Sequence, residues 1–110
     1  MIVIRKKENS TYIPYTINGN IININNELML NLLKYERDDP NHIDICQDKF
    51  GCLVCGTAAG FKYVAEIDIP ERQYIEIEEE PDAEGHPSMI EQPVDFDINL
   101  CTITLWSLEE

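Results

Sequence analysis

The sequence predicts an α+β domain that is mostly β, with an antiparallel sheet of about six or seven strands and one helix packed on it. Apolar and polar residues alternate over several short segments, and the dipeptide Asn18-Gly19 separates two of them. A single stretch after residue 26 has helical spacing instead. With 110 residues and a hydrophobic content of 44%, we expect one domain, residues 1–110, that buries its own core.

The first strands are predicted near the N-terminus. Residues 1–7 form a β-branched run that ends in bases. Residues 12–17 and 20–24 flank Asn18-Gly19, the dipeptide that most readily takes the positive φ angles of a tight hairpin turn. In the second of these segments, isoleucines alternate with asparagines, which indicates a strand with one face toward water.

The single helix is predicted over Glu27–Arg37. Asn25 or Asn26 can cap it, and Glu27 complements the positive end of the helix dipole. Pro40 would follow its end. Its apolar stripe consists of Leu28, Met29, Leu32 and Leu33.

The C-terminal half predicts further strands, whereas residues 41–60 give no secure assignment. Residues 61–69 have a period of two, with Phe61, Tyr63 and Ala65 on one face and Lys62 and Val64 on the other. Residues 73–80 alternate again. Prolines, a glycine and acids then predict a mobile acidic loop over about residues 79–93. Residues 94–100 and 101–108 are predicted as strands, joined directly or through a bulge.

The formal charge of −13 is unevenly placed along the chain. Residues 1–65 hold seven acids and seven bases, while residues 66–110 hold fourteen acids and only Arg72 as a base. Such a surface repels phosphate, so we expect neither nucleic acid nor a membrane as a partner. The bases Arg5, Lys6 and Lys7 follow the first apolar residues, an order unlike that of a secretory signal, which favours a cytoplasmic protein.

Four cysteines form the one pattern typical of metal binding. Cys52 and Cys55 have the spacing that binds a tetrahedral zinc ion, and Cys46 or His42 together with Cys101 would complete four ligands. Simple packing of reduced thiols is the competing interpretation, since free cysteine is among the most buried residue types. We therefore expect no cofactor, with zinc at Cys46, Cys52, Cys55 and Cys101 as the alternative.

An acidic cluster and the single tryptophan are the predicted interaction residues. The carboxylates form either a solvated surface or a site for a protein partner, which would be a basic protein or a second copy of this chain. Trp106 is either a core anchor or an exposed binding residue. The predicted interaction residues are Glu78, Glu79, Glu80, Asp82, Glu84 and Trp106.

The sequence does not predict an enzyme. His86 lies between Gly85 and Pro87 in the predicted mobile loop, a poor place to hold a general base. His42 would need a thiol or carboxylate beside it, and the chain has no nucleophile elbow, phosphate loop or zinc-protease motif. The spacing Asp95-x-Asp97-x-Asn99 copies only the start of a calcium loop and fits a strand.

The C-terminal part resembles small uncharacterised proteins encoded among the structural genes of bacterial prophages. The resemblance covers the acidic segment 74–80, the loop 82–87 and the ending 94–108. It implies a virion or assembly component that acts through protein contacts, and it carries no active-site residue. The sequence thus predicts a non-enzymatic structural or protein-interaction module. The alternatives are a small cysteine-dependent metal-binding domain and an acidic nucleic-acid mimic that inhibits a basic protein.

Overall fold

The computed structural model describes residues 1–7, 9–57, 62–81 and 83–108. Ten strands within these ranges form three sheets, so the prediction of a mostly β protein is confirmed. The strands are β1 Ile2–Arg5, β2 Tyr15–Asn18, β3 Ile21–Ile24, β4 Leu28–Asn31, β5 Asn41–Gln47, β6 Leu53–Cys55, β7 Lys62–Ile69, β8 Tyr74–Glu79, β9 Ser88–Pro93 and β10 Thr102–Leu105. Two single-turn 3₁₀ helices cover Leu32–Tyr35 and Ile98–Leu100.

The largest sheet has five strands in the order β1-β10-β7-β5-β6. Its outermost strand β1 runs parallel to β10, while the other neighbours are antiparallel, so this sheet is mixed rather than purely antiparallel. The central strand β7 is the longest, and its partners on both sides place Ile103, Ile67 and Ile43 in one cross-strand row. Strands from both ends of the chain therefore meet in one sheet.

The predicted first hairpin is present, with its turn one residue later than expected. Strands β2 and β3 pair from Tyr15↔Ile24 to Asn18↔Ile21, so Gly19 and Asn20 form the connection. Gly19 has a φ of +62°, a backbone conformation that glycine adopts without a steric penalty. The turn residue that the sequence marked is thus the one that the hairpin requires.

The predicted helix over Glu27–Arg37 is wrong, and the described residues contain no α-helix. Asn25 and Asn26 do not cap a helix but take φ angles of +57° and +54°, which reverse the chain into β4. Asparagine tolerates this left-handed conformation better than most residues. Residues 28–32 then alternate, with Leu30 and Leu32 in the core and Met29 exposed, so a period of two prevails over the helical spacing.

A β-bulge in β7 changes the predicted alternation of this strand. Ile45 pairs with Ala65, but the next residue Cys46 pairs with Tyr63, which leaves Val64 as the extra residue. Val64 and Ala65 are consequently both buried, whereas Tyr63 is 40% exposed. Residues 65–69 alternate between the two faces of the sheet as predicted. Before the bulge the assignment is reversed, since Val64 faces the core and Tyr63 faces solvent.

One hydrophobic core joins the five-stranded and the three-stranded sheets. Isoleucine dominates it, as expected for side chains that pack well between pleated surfaces. The core residues are Ile13, Ile22, Ile24, Leu30, Leu32, Ile43, Ile45, Val64, Ala65, Ile67, Ile69, Cys101, Ile103 and Leu105. We call these two sheets together the body.

The C-terminal half departs from the prediction in two places. Residues 88–93, predicted as part of the mobile loop, form strand β9 and pair with β8 along its whole length. Residues 94–100, predicted as a strand, contain the 3₁₀ turn Ile98–Leu100 instead. The side chain of Asp97 accepts a hydrogen bond from the Asn99 amide at 2.9 Å, which starts this turn.

The third sheet extends away from the body. It consists of β8 and β9 alone, and none of its residues belongs to the core. The chain measures 68 × 28 × 21 Å, and its radius of gyration is 19.0 Å. A compact domain of this length has a radius of gyration of about 13 Å. We call residues 74–93 the arm.

No helix in the described ranges combines the length and the apolar character that crossing a membrane requires.

Candidate functional site

The arm is a two-stranded ribbon with two different faces. Because directly paired residues lie on the same face, Ile75, Ile77 and Ile90 form an apolar strip. Ile75 and Ile90 are 52% and 43% exposed, so this strip faces solvent. On the opposite face, Glu76 pairs with Glu91. The arm therefore offers a partner both an apolar surface and an acidic one.

The predicted acidic interaction residues fall on the arm, except Asp82, which lies outside the described residues. Glu78 and Glu79 end β8, and Glu80 and Glu84 belong to the exposed connection to β9. Residues 74–93 contain seven acids and no lysine or arginine, so more than half of the net charge of −13 resides there. The structure adds the paired Glu91 to the acidic residues that the sequence singled out.

Arg72 connects the base of the arm to the body. Its guanidinium donates hydrogen bonds to the Glu36 carbonyl at 3.1 Å and to Asp38 Oδ1 at 3.2 Å. Tyr74 Oη donates to the same Asp38 oxygen at 2.5 Å. A backbone hydrogen bond from Val94 to Gln73 closes the base of the ribbon. These contacts give the arm a defined direction where it leaves the body.

A cleft of about 450 Å³ opens beside the base of the arm. Its apolar lining includes Phe96 and Leu100, and its polar lining is entirely acidic or neutral. The carboxylates around it come from Glu36, Glu71, Asp95 and Asp97. An apolar floor with an acidic rim suits the stem and the charged head of a lysine or arginine side chain.

Trp106, the remaining predicted interaction residue, lies beside the outer face of the five-stranded sheet and is not part of the arm. Its indole Nε1 donates a hydrogen bond to Glu66 Oε2 at 2.7 Å. Its ring lies 5.9 Å from the Tyr63 ring, and the Lys6 ammonium lies 5.3 Å from its centroid. The structure thus places the predicted interaction residues in two separate regions.

The outer face of the same sheet brings His42 together with three carboxylates. His42 and Asp44 are two residues apart on β5, so their side chains share its outer face. On the neighbouring strand β7, Asp68 lies opposite His42 and Glu66 lies opposite Asp44. His42 Nδ1 is 2.6 Å from Asp68 Oδ1, while Nε2 is 2.7 Å from Asp44 Oδ1 and 3.3 Å from Glu66 Oε1. We call these four residues the His42 cluster.

Burial and the charges of the His42 cluster together shift the pKa of three side chains on this face. Hydrogen bonds to Asp68 and Asp44 raise the pKa of His42 to about 9, because both carboxylates stabilise the imidazolium. Partial burial, followed by the nearby charges of Asp44 and Glu66, raises the pKa of the Cys46 thiol. Desolvation, followed by the nearby Asp44, Cys46 and Glu66, raises the pKa of the Tyr63 hydroxyl.

The four cysteines are free thiols in different environments. Cys101 belongs to the core and Cys46 is buried outside it, whereas Cys52 and Cys55 are exposed. Among the described residues, the only group of three metal-ligating side chains consists of His42, Asp44 and Glu66, with no cysteine. Burial raises the pKa of Cys55, and it raises the pKa of Cys101 to about 11.

The His42 cluster was not predicted as a site from the sequence. A signal was available, because His42-x-Asp44 and Glu66-x-Asp68 both have the spacing that places two side chains on one face of a strand. Residues 41–47 had no predicted structure, however, and the pairing of β5 with β7 cannot be deduced from either segment alone. The cluster depends on that pairing.

Comparisons with known proteins find no relative of this chain. No protein-family model matches this chain. No curated protein and no solved structure shows significant similarity to it. The resemblance of the C-terminal part to prophage proteins therefore stays a prediction.

Proposed function

We propose that this chain is a non-enzymatic protein-interaction module whose arm binds a basic partner protein. The observation that carries this proposal is the arm itself, a ribbon that contributes no side chain to the core and carries an apolar strip beside an acidic face. Its isoleucines lie outside the core, so the stability of the fold does not explain why these positions are apolar. Binding to a partner would give them a function.

The energetics of a two-stranded ribbon support a role in binding. Such a hairpin is at best marginally stable in water by itself, and burial of one face against another protein stabilises it. Ile77 and Ile90 are directly paired, so their side chains form one continuous surface with Ile75. Burial of apolar area contributes about 25 cal/mol per Å² before the costs of association.

The backbone of the arm offers a second means of attachment. Among the described strands, β8 and β9 pair only with each other, so each has an open edge of amide and carbonyl groups. Extended segments of partner proteins commonly add to such edges. The acids along the ribbon oppose pairing with other acidic strands and favour a basic one.

Charge selects the chemistry of the partner. The arm has seven acids without a lysine or arginine, and the cleft at its base adds the carboxylates of Glu36, Glu71, Asp95 and Asp97. A basic segment that lies along the arm would place one long cationic side chain in this cleft. Following the resemblance in the C-terminal part, we propose a subunit of a larger assembly as this partner.

Site-specific photo-crosslinking in cells tests the proposal. A photoreactive amino acid at Ile90 should crosslink to a partner protein with a basic surface, and the same group at Met29 serves as the control because Met29 is 64% exposed on the body. Replacing Glu76, Glu78 and Glu91 by glutamine should remove the Ile90 product, since charge attraction is lost. A crosslink to a second copy, checked by light scattering, would instead identify self-association. Equal products from both positions would contradict the proposal.

A further inference from the structure

We propose that the His42 cluster is a binding site for a divalent transition-metal ion of the zinc type, with His42 Nε2, Asp44 and Glu66 as its ligands. This inference is independent of the arm and its partner. The three ligand atoms lie within 4.8 Å of one another on the solvent side of the five-stranded sheet.

The distances suit a shared ion. Zinc forms bonds of about 2.0–2.2 Å to imidazole nitrogen and carboxylate oxygen, which puts neighbouring ligand atoms roughly 3.4 Å apart. His42 Nε2 is 2.7 Å from Asp44 Oδ1 and 3.3 Å from Glu66 Oε1. Small rotations of the Asp44 and Glu66 side chains would therefore open the space that one ion needs.

The backbone supplies the rigidity of the site. His42 and Asp44 are two residues apart on β5, and Glu66 lies directly opposite Asp44 on β7. All three ligands thus come from paired strands in the middle of a sheet whose other face is the core. A site on paired strands holds its ligands more accurately than a site on a loop.

Two groups that are not ligands orient the site. Asp68 Oδ1 lies 2.6 Å from His42 Nδ1, so Nδ1 keeps its proton when the ion displaces the proton on Nε2 and binds the lone pair there. Trp106 Nε1 donates to Glu66 Oε2 at 2.7 Å, which leaves Oε1 for coordination. The carboxylate–histidine pair is the usual support of a metal-bound imidazole in proteins.

The donor set and the exposure select the class of metal. One imidazole with two carboxylates suits zinc and related transition metals, whereas magnesium and calcium prefer oxygen ligands alone. The His42 side chain is 43% exposed and those of Asp44 and Glu66 are 25% and 22% exposed, so water has access to the remaining positions. Three protein ligands with an open position describe an accessible site, in contrast to a closed structural one.

Zinc binding to the 110-residue chain tests this inference. Because Cys52 and Cys55 are exposed and would also attract zinc, the titration uses a Cys52→Ser/Cys55→Ser background. Addition of ZnCl₂ should shift the imidazole ¹⁵N resonance of His42 Nε2, and calorimetry should show one ion per chain. CaCl₂ at the same concentration should leave this resonance unchanged.

Variants separate ligands from supporting groups. His42→Ala and Glu66→Gln should each weaken zinc binding at least tenfold, and the glutamine keeps an oxygen that accepts the Trp106 hydrogen bond. Asp68→Asn should weaken it by about 10- to 100-fold. Asp39→Asn, an exposed acid outside the cluster, is the matched control and should change nothing.

The single tryptophan provides an independent readout. CoCl₂ should quench the fluorescence of Trp106, since its indole is hydrogen-bonded to Glu66, and His42→Ala should abolish the quenching. An unperturbed His42 resonance at millimolar zinc would overturn the inference. So would full affinity in both His42→Ala and Glu66→Gln, because the ion would then lie elsewhere.

Discussion

The body and the arm are built from similar strands but differ in what their isoleucines contact. In the body, Ile67 and Ile103 are fully buried between two sheets. In the arm, Ile75 is 52% exposed, and no residue of β8 or β9 reaches the core. The same alternation of apolar and polar residues therefore stabilises the fold in one region and forms a free surface in the other.

Charge reinforces the difference. The acids and bases of residues 1–65 balance, whereas the arm carries seven acids and no lysine or arginine. Like charges on a narrow ribbon oppose its collapse onto an acidic neighbour, so they help to keep the arm extended. The body holds the buried apolar contacts of the fold, and the arm is the region for which we propose binding to a partner.

A matched pair of substitutions tests this division most strongly. Ile67→Ala should lower the free energy of unfolding by about 2–5 kcal/mol, because it leaves a cavity in the core. Ile75→Ala should change it by less than about 0.5 kcal/mol, since its side chain is half exposed. Urea unfolding of both variants measures the contrast. Similar losses would mean that the arm is part of the cooperative core.

Substitutions at Asn25 test whether the left-handed turn before β4 stabilises the β structure of the body. Asn25→Ala should lower the free energy of unfolding by about 1–2 kcal/mol, because alanine is strained at a φ of +57°. Asn25→Gly removes the same side chain but tolerates this φ, so it should retain most of the stability. Thermal unfolding followed by circular dichroism compares the two. A larger loss for glycine than for alanine would contradict the assigned backbone conformation.

The substitution Arg72→Ala tests whether side-chain contacts at the base of the arm hold the arm in its direction. Arg72→Ala removes the contacts to Glu36 and Asp38, and amides at the base of β8 should exchange hydrogen faster. The free energy of unfolding should change little, because these ion pairs are partly exposed and screened by water. Lys34→Ala is the control for loss of a positive charge. Unchanged exchange would show that backbone contacts alone hold the arm.

The stability of the metal-free protein should depend on pH through His42 on the outer face of the five-stranded sheet. The folded-state pKa of His42, about 9, lies above its ordinary value of 6.5. The imidazolium therefore contributes stability fully below pH 6.5, and this contribution is lost as the pH rises toward 9. Because the ring is 43% exposed, we expect a loss below about 1 kcal/mol.

An NMR titration of the imidazole with EDTA present measures the His42 pKa. Asp68→Asn should lower it, since the hydrogen bond to Asp68 is the largest cause of the shift. Asp39→Asn should leave it unchanged. A wild-type ring that titrates near pH 6.5 would be inconsistent with the geometry of the cluster.

Prediction from the sequence was most successful where a local pattern has a single structural solution. The hairpin around Gly19 and the strands near residues 62–69 and 74–79 depend on turn chemistry and a period of two. The helix over Glu27–Arg37 failed because Leu28 and Leu32, four residues apart, fit both a helical stripe and a period of two. The arrangement was then decided by the left-handed backbone at Asn25 and Asn26.

The interaction residues show the same limit. Their acidic clustering is visible in the sequence, but the strand β9 that pairs Glu91 with Glu76 is not, because prolines and a glycine separate the two segments. The His42 cluster was missed for a related reason. Its residues on β5 and β7 are at least 22 positions apart, the spacing from Asp44 to Glu66, and only the pairing of β5 with β7 brings them together.

The sequence by itself determined the β character, the first hairpin and the acidic segment, because these follow from contacts between residues close in the chain. The tertiary structure decided which strands share a sheet, where Tyr63 and Val64 face across the bulge, and that the arm leaves the core. These features depend on contacts between distant residues, whose free energy exists only once the chain has folded.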